Sequence, residues 1–532
     1  MNKILGTPEK CTLSLALIAL CGVGLASCGG SSPTPAPPSG FTNASLKGQY
    51  AILMSGLDIN GAYLARIGSF TADGAGNITA GLEDVLNLSG SPGFSEISVT
   101  AGTYDIQPSG RGMLTLEAGN TTLKLSLALE SSAGGYLIQT DLNASSSGTF
   151  TLQNPSAFSA AALNHPFVFD FSGVTFLPST AAPIAFVGEF DPNGSGAITG
   201  GLMDTNNGNT GPSGPTPINP GSYALDSSGA GSSFGRGTMI FNGYNFAFYI
   251  VDSSHIVAME EDPLGGSAGD AFLQSASVPT QNSQFTGSFV YLQTGSSVKG
   301  SMGPVVRVTR WTSDGNGNLS AISLDDNNDG RYTHVSQGSN ISKATYSIDT
   351  ANTGSGRATL TLTDSGTGTY DNVLYLVSPS QGFIEVTSAG IIADGPLNAQ
   401  TAGPFALSGL IGNFVFNWHG EQLGANTAIP VAETYVGPYT LSDASSSNIG
   451  GLVDYVQLDL SGQSFFSGVT LGGTLTVNGD GTDNNHYKYA ITGNPSSTIN
   501  FEAYFVSPSR VYMVSSDNNH TTAGLVLQQS TP

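Results

Sequence analysis

Bulky apolar side chains alternate with small or polar ones along much of the chain. Phe167, Phe169 and Phe171 fall on one face of an extended segment, and Phe414, Phe416 and Trp418 do the same. Period two with one bulky face marks a half-buried β-strand. No long stretch repeats at 3.6 residues. The segment that shows the alternation best occurs four times, each time running from an aromatic residue to a glycine: Tyr50 to Gly56, Phe167 to Gly173, Phe289 to Gly295 and Phe414 to Gly420. The starts lie 117, 122 and 125 residues apart, so the chain is built from four copies of one unit.

Further anchors recur in register. Asp73-Gly-Ala-Gly-Asn-Ile78 matches Asp191 to Ile198 and Asp314 to Leu319, with Asp443 to Ile449 as a degenerate fourth copy. Gly and Asn between apolar runs predict hairpin turns that need positive φ. The strand after each turn carries an aspartate: Asp84, Asp204, Asp325 and Asp454. A Gly-Arg pair follows in three copies, at Arg111, Arg236 and Arg357, and the fourth copy reads Gly479-Asp-Gly481. Serine-rich turns join two late strands, as in Tyr375 to Ser380 and Tyr504 to Ser509.

In the first copy, strands are predicted near 48–56, 63–71, 77–86, 96–107, 112–117, 121–130, 135–141 and 147–153. Eight antiparallel strands joined by short turns can close into a barrel with no exposed edge. The fold class is therefore all-β: four tandem antiparallel meander units of about eight strands, read as small up-and-down barrels. They are broadly similar to lipocalin and avidin-like meanders, an architectural likeness that carries no function. Four β-sandwiches are the alternative. The expected units are residues 43–157, 158–281, 282–405 and 406–532.

The first residues follow a different pattern. Lys3 and Lys10 form a positive segment ahead of an uncharged apolar run from Cys11 to Leu25, too short for a comfortable membrane span. It ends in Leu25-Ala26-Ser27-Cys28, which resembles the lipobox of bacterial lipoproteins. The resemblance covers residues 1–28. It implies a signal peptide over 1–27, a diacylglyceryl thioether on Cys28 and an acylated amino terminus, enough lipid for a stable anchor. Gly29, where an aspartate would favour inner-membrane retention, leans toward the outer membrane. Residues 28–42, rich in Pro, Ser and Gly, read as a tether.

Composition narrows the partners. The chain has 3 cysteines: Cys11 and Cys21 fall in the signal and Cys28 is the anchor, so the body holds no disulfide and no thiol nucleophile. Its formal net charge is −23, and loss of Lys3, Lys10 and Glu9 makes the body one charge more negative. Such a surface repels nucleic acid and anionic headgroups. A protein, glycan or small-molecule partner stays open.

Candidate chemistry is sparse. Asp325, Asn327 and Asp329, followed by Gly330, fit the first half of an EF-hand-type calcium loop, although Ser336 stands where the bidentate Glu is needed; an Asx-rich turn is the plain alternative. The recurring Arg111, Arg236 and Arg357 suit either an anion-capping role or structural pairing with a repeat aspartate such as Asp84, Asp204 or Asp325, and repetition favours the scaffold. The six histidines occupy no common repeat position. Glu260 and Glu261 are adjacent on a strand and point to opposite faces. No catalytic residue is assigned. The reading is a non-enzymatic envelope lipoprotein with a binding or structural role. The alternatives are an exported hydrolase of envelope or environmental polymer, which would need one copy to carry a polar cluster the others lack, and a carrier of small apolar ligands in barrel cavities.

Overall fold

A computed structural model of the chain describes residues 40–530 apart from 90–92, 142–143, 178–179, 263–264, 300–301, 337–340, 404, 406–409, 424–430, 443–447, 460–461, 478–485 and 493–497. For 477 and 486–492 it describes the backbone alone. The signal segment, Cys28 and Asp480 of the fourth copy lie outside the described residues.

The chain forms four eight-strand antiparallel units, and the small-barrel reading holds. The first unit runs in sequential order from the strand Lys47–Asp58 to the strand Ala144–Leu152, which pair and close it. The fourth closes in the same way, from Gly412–Gln422 to His520–Gln528. In the second unit the fourth strand is broken into Gly211–Pro217 and Gly221–Leu225, both laid along Ala197–Asn207, and the pairing of Ala182–Pro192 with Ala197–Asn207 completes the circuit. In the third unit the strands Arg331–Ser336 and Ile341–Ile348 occupy the corresponding place, the first paired with Leu319–Asn328 and the second reached by a bridge between Asn318 and Thr345.

The glycine that ends each repeat motif has a steric cause. A Cβ on Gly56, Gly173, Gly295 or Gly420 would lie 2.0–2.1 Å from a carbonyl oxygen of the unit's last strand, so only glycine permits that close approach. At the Asp73 turn, Gly74 and Gly76 have φ of +82° and +107°, while Asp73 Oδ1 accepts the Ala75 and Asn77 amides. Tyr104, Tyr223 and Tyr346 each donate a hydroxyl to the carbonyl of Leu46, Leu163 or Phe285, tying mid-unit strands to the segment that enters the barrel.

The barrel interiors are filled. In the second, Phe167, Phe169, Phe171, Phe190, Phe241 and Phe246 stack on one another. Trp311 and Trp418 are fully buried in the third and fourth. A barrel of eight strands is just wide enough for side chains to fill. The described residues therefore leave the barrel lumens to side chains, which goes against the expectation of ligand cavities inside the barrels.

Four further apolar clusters lie between barrels. Leu82, Tyr249 and Met259 join the first to the second; Val187, Tyr375 and Phe383 join the second to the third; Val290, Tyr504 and Val514 join the third to the fourth; Ile138, Val415 and Val456 join the fourth to the first. The barrels thus close into a ring. A repeated glutamine marks each joint: Gln153, Gln274 and Gln400 donate side-chain bonds to carbonyls of Ile250, Leu376 and Phe505 in the next barrel, and Gln529 returns to Leu129 of the first. The backbone repeats the pattern, with Asn154, Ser275 and Thr401 amides on Val251, Val377 and Val506, and the Ser530 amide on Glu130.

Candidate functional site

The repeat aspartate and arginine meet across these joints. Arg236 of the second barrel places Nε 2.8 Å from Asp84 Oδ2 and Nη2 3.0 Å from Asp84 Oδ1 of the first. Arg357 of the third holds Asp204 of the second in the same fork, at 2.7 and 2.8 Å. Arg111 of the first holds Asp454 of the fourth, at 2.7 and 2.5 Å. The arginine of one barrel therefore grips the aspartate of the barrel before it in the ring. Each pair is buried, and the bidentate geometry matches a planar guanidinium to a carboxylate. Burial alone would depress the Arg236 and Arg357 pKa values; the aspartate bonds more than offset it and raise them.

At the joint between the third and fourth barrels the aspartate is Asp325. Its Oδ1 takes the Tyr332 hydroxyl at 2.5 Å and His334 Nδ1 at 2.8 Å, and its Oδ2 takes Tyr504 of the fourth barrel at 2.6 Å. Asn327 donates to the carbonyls of Ser515, Asp517 and His520 in the fourth barrel and accepts from Thr521. Asp329 sits in the following turn with φ of +53°. Asp325 and Asn327 thus form a junction, and among the described residues no group of three or more His, Cys, Asp or Glu side chains is disposed to hold a metal ion. Glu260 is buried against Ser267, and Glu261 lies 3.5 Å from Arg236, on separate faces.

The ring surrounds a cavity of about 960 Å³ that all four barrels line. It lies where the first hairpins converge, with walls that include Ser55, Ser172, Thr294 and His419, which occupy the same repeat position. Exposed Ile59 and Met302 form part of its rim. Asp58, Asp270, Asp394, Glu421, Glu433 and Asp459 face it, and among the described residues no lysine or arginine lines it. On the fourth-barrel wall, Asn417 and Thr434 are 8% and 5% exposed, and Asn417 Nδ2 and Thr434 Oγ1 meet no hydrogen-bond partner among the described residues. Burial lowers the His419 pKa, and burial with Asp329 and Glu433 pushes Glu421 up to about 7.

One wall departs from the repeat. Three barrels carry small or apolar residues along the row that leads from the cavity into a joint: Ser147 and Ile138, Ala268 and Met259, Ala523 and Val514. The third barrel has Asp394 and Glu385 there. Facing them, the second barrel has Asp170 where the others have Leu53, Leu292 and Asn417, cross-strand from Asp270. Glu385 is fully buried, and neither oxygen meets a donor with hydrogen-bond geometry among the described residues. Burial, then the charge and hydrogen bond of Asp394, raise the Asp170 pKa well above the carboxylate range. Burial, then Asp204 and Asp394, do the same for Glu385. After burial, Asp394 is the neighbour that raises Asp170 most. The sequence signal that finds these residues is the loss of an apolar residue at an outward repeat position.

No protein-family model and no curated protein sequence matches the chain. Among solved structures, similar chains include a transferrin binding protein B mutant from Haemophilus parasuis Hp5, at 12% identity and TM-score 0.19 over 75% of this chain and 83% of that one. Isotype 1 transferrin binding protein B from serogroup B Neisseria meningitidis follows at 8% identity and TM-score 0.21, over 74% and 83%. A Nostoc punctiforme protein of unknown function from the DUF3598 family matches at 10% identity and TM-score 0.14, over 46% and 96%. Likeness at this level carries nothing about ligand, partner or location to this chain.

Proposed function

We propose that the protein is a non-enzymatic binding lipoprotein of the cell envelope, held by lipid on Cys28, whose ligand site is the cavity at the centre of the four-barrel ring. The observation that supports this most is the cavity itself. It has the volume of a small-molecule site, mixes apolar walls with a few buried polar groups, and stands among barrels whose own interiors are filled. The tether and acidic surface suit a body that stands off an anionic membrane. Location at the outer membrane rests on Gly29.

Native mass spectrometry of the detergent-released lipoprotein, incubated with a panel of small amphiphiles, tests this. One ligand per chain is expected, lost when Ser55→Trp fills the cavity wall. Several equivalents per chain, insensitive to Ser55→Trp, would return the site to the barrels. The Asp170 and Asp394 pair gives the hydrolase reading its one foothold, as a general acid and base. Polymer turnover abolished by Asp394→Asn would favour that reading over binding.

A further inference from the structure

The acidic wall identifies what the cavity takes, and the argument rests on the reading of that cavity as the ligand site. Asp170, Asp204 and Asp270 of the second barrel meet Glu385 and Asp394 of the third at this joint. The basic groups that the described residues bring to it are Arg357, forked onto Asp204 and 3.3 Å from Asp349, and His255, whose Nε2 is 2.7 Å from Asp270. Asp170, Glu385 and Asp394 are left with no positive partner of their own. Carboxyls this poorly compensated can be kept only by holding protons or by receiving a cation.

The other three joints show that the scaffold does not need them. Equivalent positions carry Ile138, Met259 and Val514, which pack in apolar clusters and hold their joints without cost in buried charge. Acids that appear in one copy alone, where apolar side chains serve in the rest, mark a role other than holding the ring.

Three features choose the class of cation. Asp270 and Asp394 open onto the cavity, so the acids reach the ligand space directly. They are spread along a wall and are not gathered at a point as a metal requires, and none of the described groups meets that requirement. The rest of the cavity offers apolar surface from Leu53 and Leu57, with exposed Ile59 and Met302 at its rim.

We infer that the cavity binds an organic cation: an ammonium or guanidinium group on the wall formed by Asp270 and Asp394, with Asp170 behind them, and an apolar body in the ring centre.

The test uses two fluorescent probes with one fluorophore and opposite charge, the amine dansylcadaverine and the acid dansylglycine, titrated into the detergent-released lipoprotein. Dansylcadaverine is expected to bind saturably, at least tenfold tighter than dansylglycine. Asp170→Asn with Asp394→Asn should weaken the amine at least tenfold and leave the acid unchanged or tighter, with the far-ultraviolet circular dichroism of the parent. Ser55→Trp should remove both. Equal binding of the two probes, unaffected by the Asn variants, overturns the cation inference while the cavity reading stands. Binding of both that survives Ser55→Trp, or binding of neither, fails the cavity reading itself. Displacement of dansylcadaverine by micromolar Ca²⁺ alone would make the wall a metal site and overturn the ligand class.

Discussion

Arg236 of the second barrel holds Asp84 of the first through two parallel bonds, Nε to Oδ2 and Nη2 to Oδ1, although 152 residues separate them. Arg357 with Asp204 and Arg111 with Asp454 repeat the fork, and the last of these joins the fourth barrel to the first.

Breaking such a pair should cost more than removing it. Arg236→Met alone leaves Asp84 buried without its partner and is expected to lower stability by about 3–5 kcal/mol. Asp84→Leu combined with Arg236→Met should recover most of that loss, because apolar neighbours such as Leu82 and Met259 already line the joint. Urea denaturation of these two variants and of Asp84→Leu alone gives the coupling.

The carboxyl-terminal residues act as the ring's last joint. Removal of residues 529–532 deletes the bonds from Gln529 to Ser109 and Leu129 and from Ser530 to Glu130. The truncated protein is expected to keep its circular dichroism but to expose the joint between the first and fourth barrels, with faster hydrogen exchange in Gly134–Gln139 and Thr121–Ser131. Unchanged exchange there would mean that the apolar cluster alone closes the ring.

Acid should stabilise this protein down to mildly acidic pH. Burial raises Glu260 from 4.5 to about 7, and Glu421 likewise; Asp170, Glu385 and Asp394 also move upward. A raised carboxyl binds its proton more tightly folded than unfolded, so its contribution is complete below pH 4.5 and is lost as pH rises through its folded value. Turn hydrogen bonds hold Asp73 and Asp314 at about 2, and their contribution is lost only as pH falls toward that value. Thermal melts should therefore give the highest Tm near pH 5 and a decline to pH 8. Glu260→Gln should raise stability at pH 8 by up to about 3 kcal/mol. A Tm that climbs steadily to pH 8 would contradict this.

Much of this architecture is legible in the sequence because it is local. The alternation of Phe167, Phe169 and Phe171, the Asp73 turn and the strand-ending Gly173 each follow from sterics within a unit. The pairing of Arg111 with Asp454 spans 343 residues, and no local pattern says which barrel's aspartate an arginine reaches. The acid wall escaped for another reason. Asp170 reads as an ordinary solvent-facing residue of a half-buried strand until a neighbouring barrel covers it, and Asp394 reads the same way. The calcium pattern at Asp325 shows the converse: spacing suited to a cation loop is here used to join two barrels.

The proposed anchor is lipid on Cys28. Radiolabelled palmitate should enter the wild-type chain and not Cys28→Ser, and the variant should leave the membrane fraction. A Cys28→Ser protein that stays membrane-bound would place the anchor elsewhere.

The central claim is that four barrels close into one ring around a shared site. Small-angle X-ray scattering of the detergent-free body, residues 40–532, tests it most directly. A closed ring of this size predicts a radius of gyration near 23–25 Å, by the scaling of single folded bodies, approximately. A value above about 30 Å, as for four barrels strung in a row, would contradict the ring and remove the site it encloses.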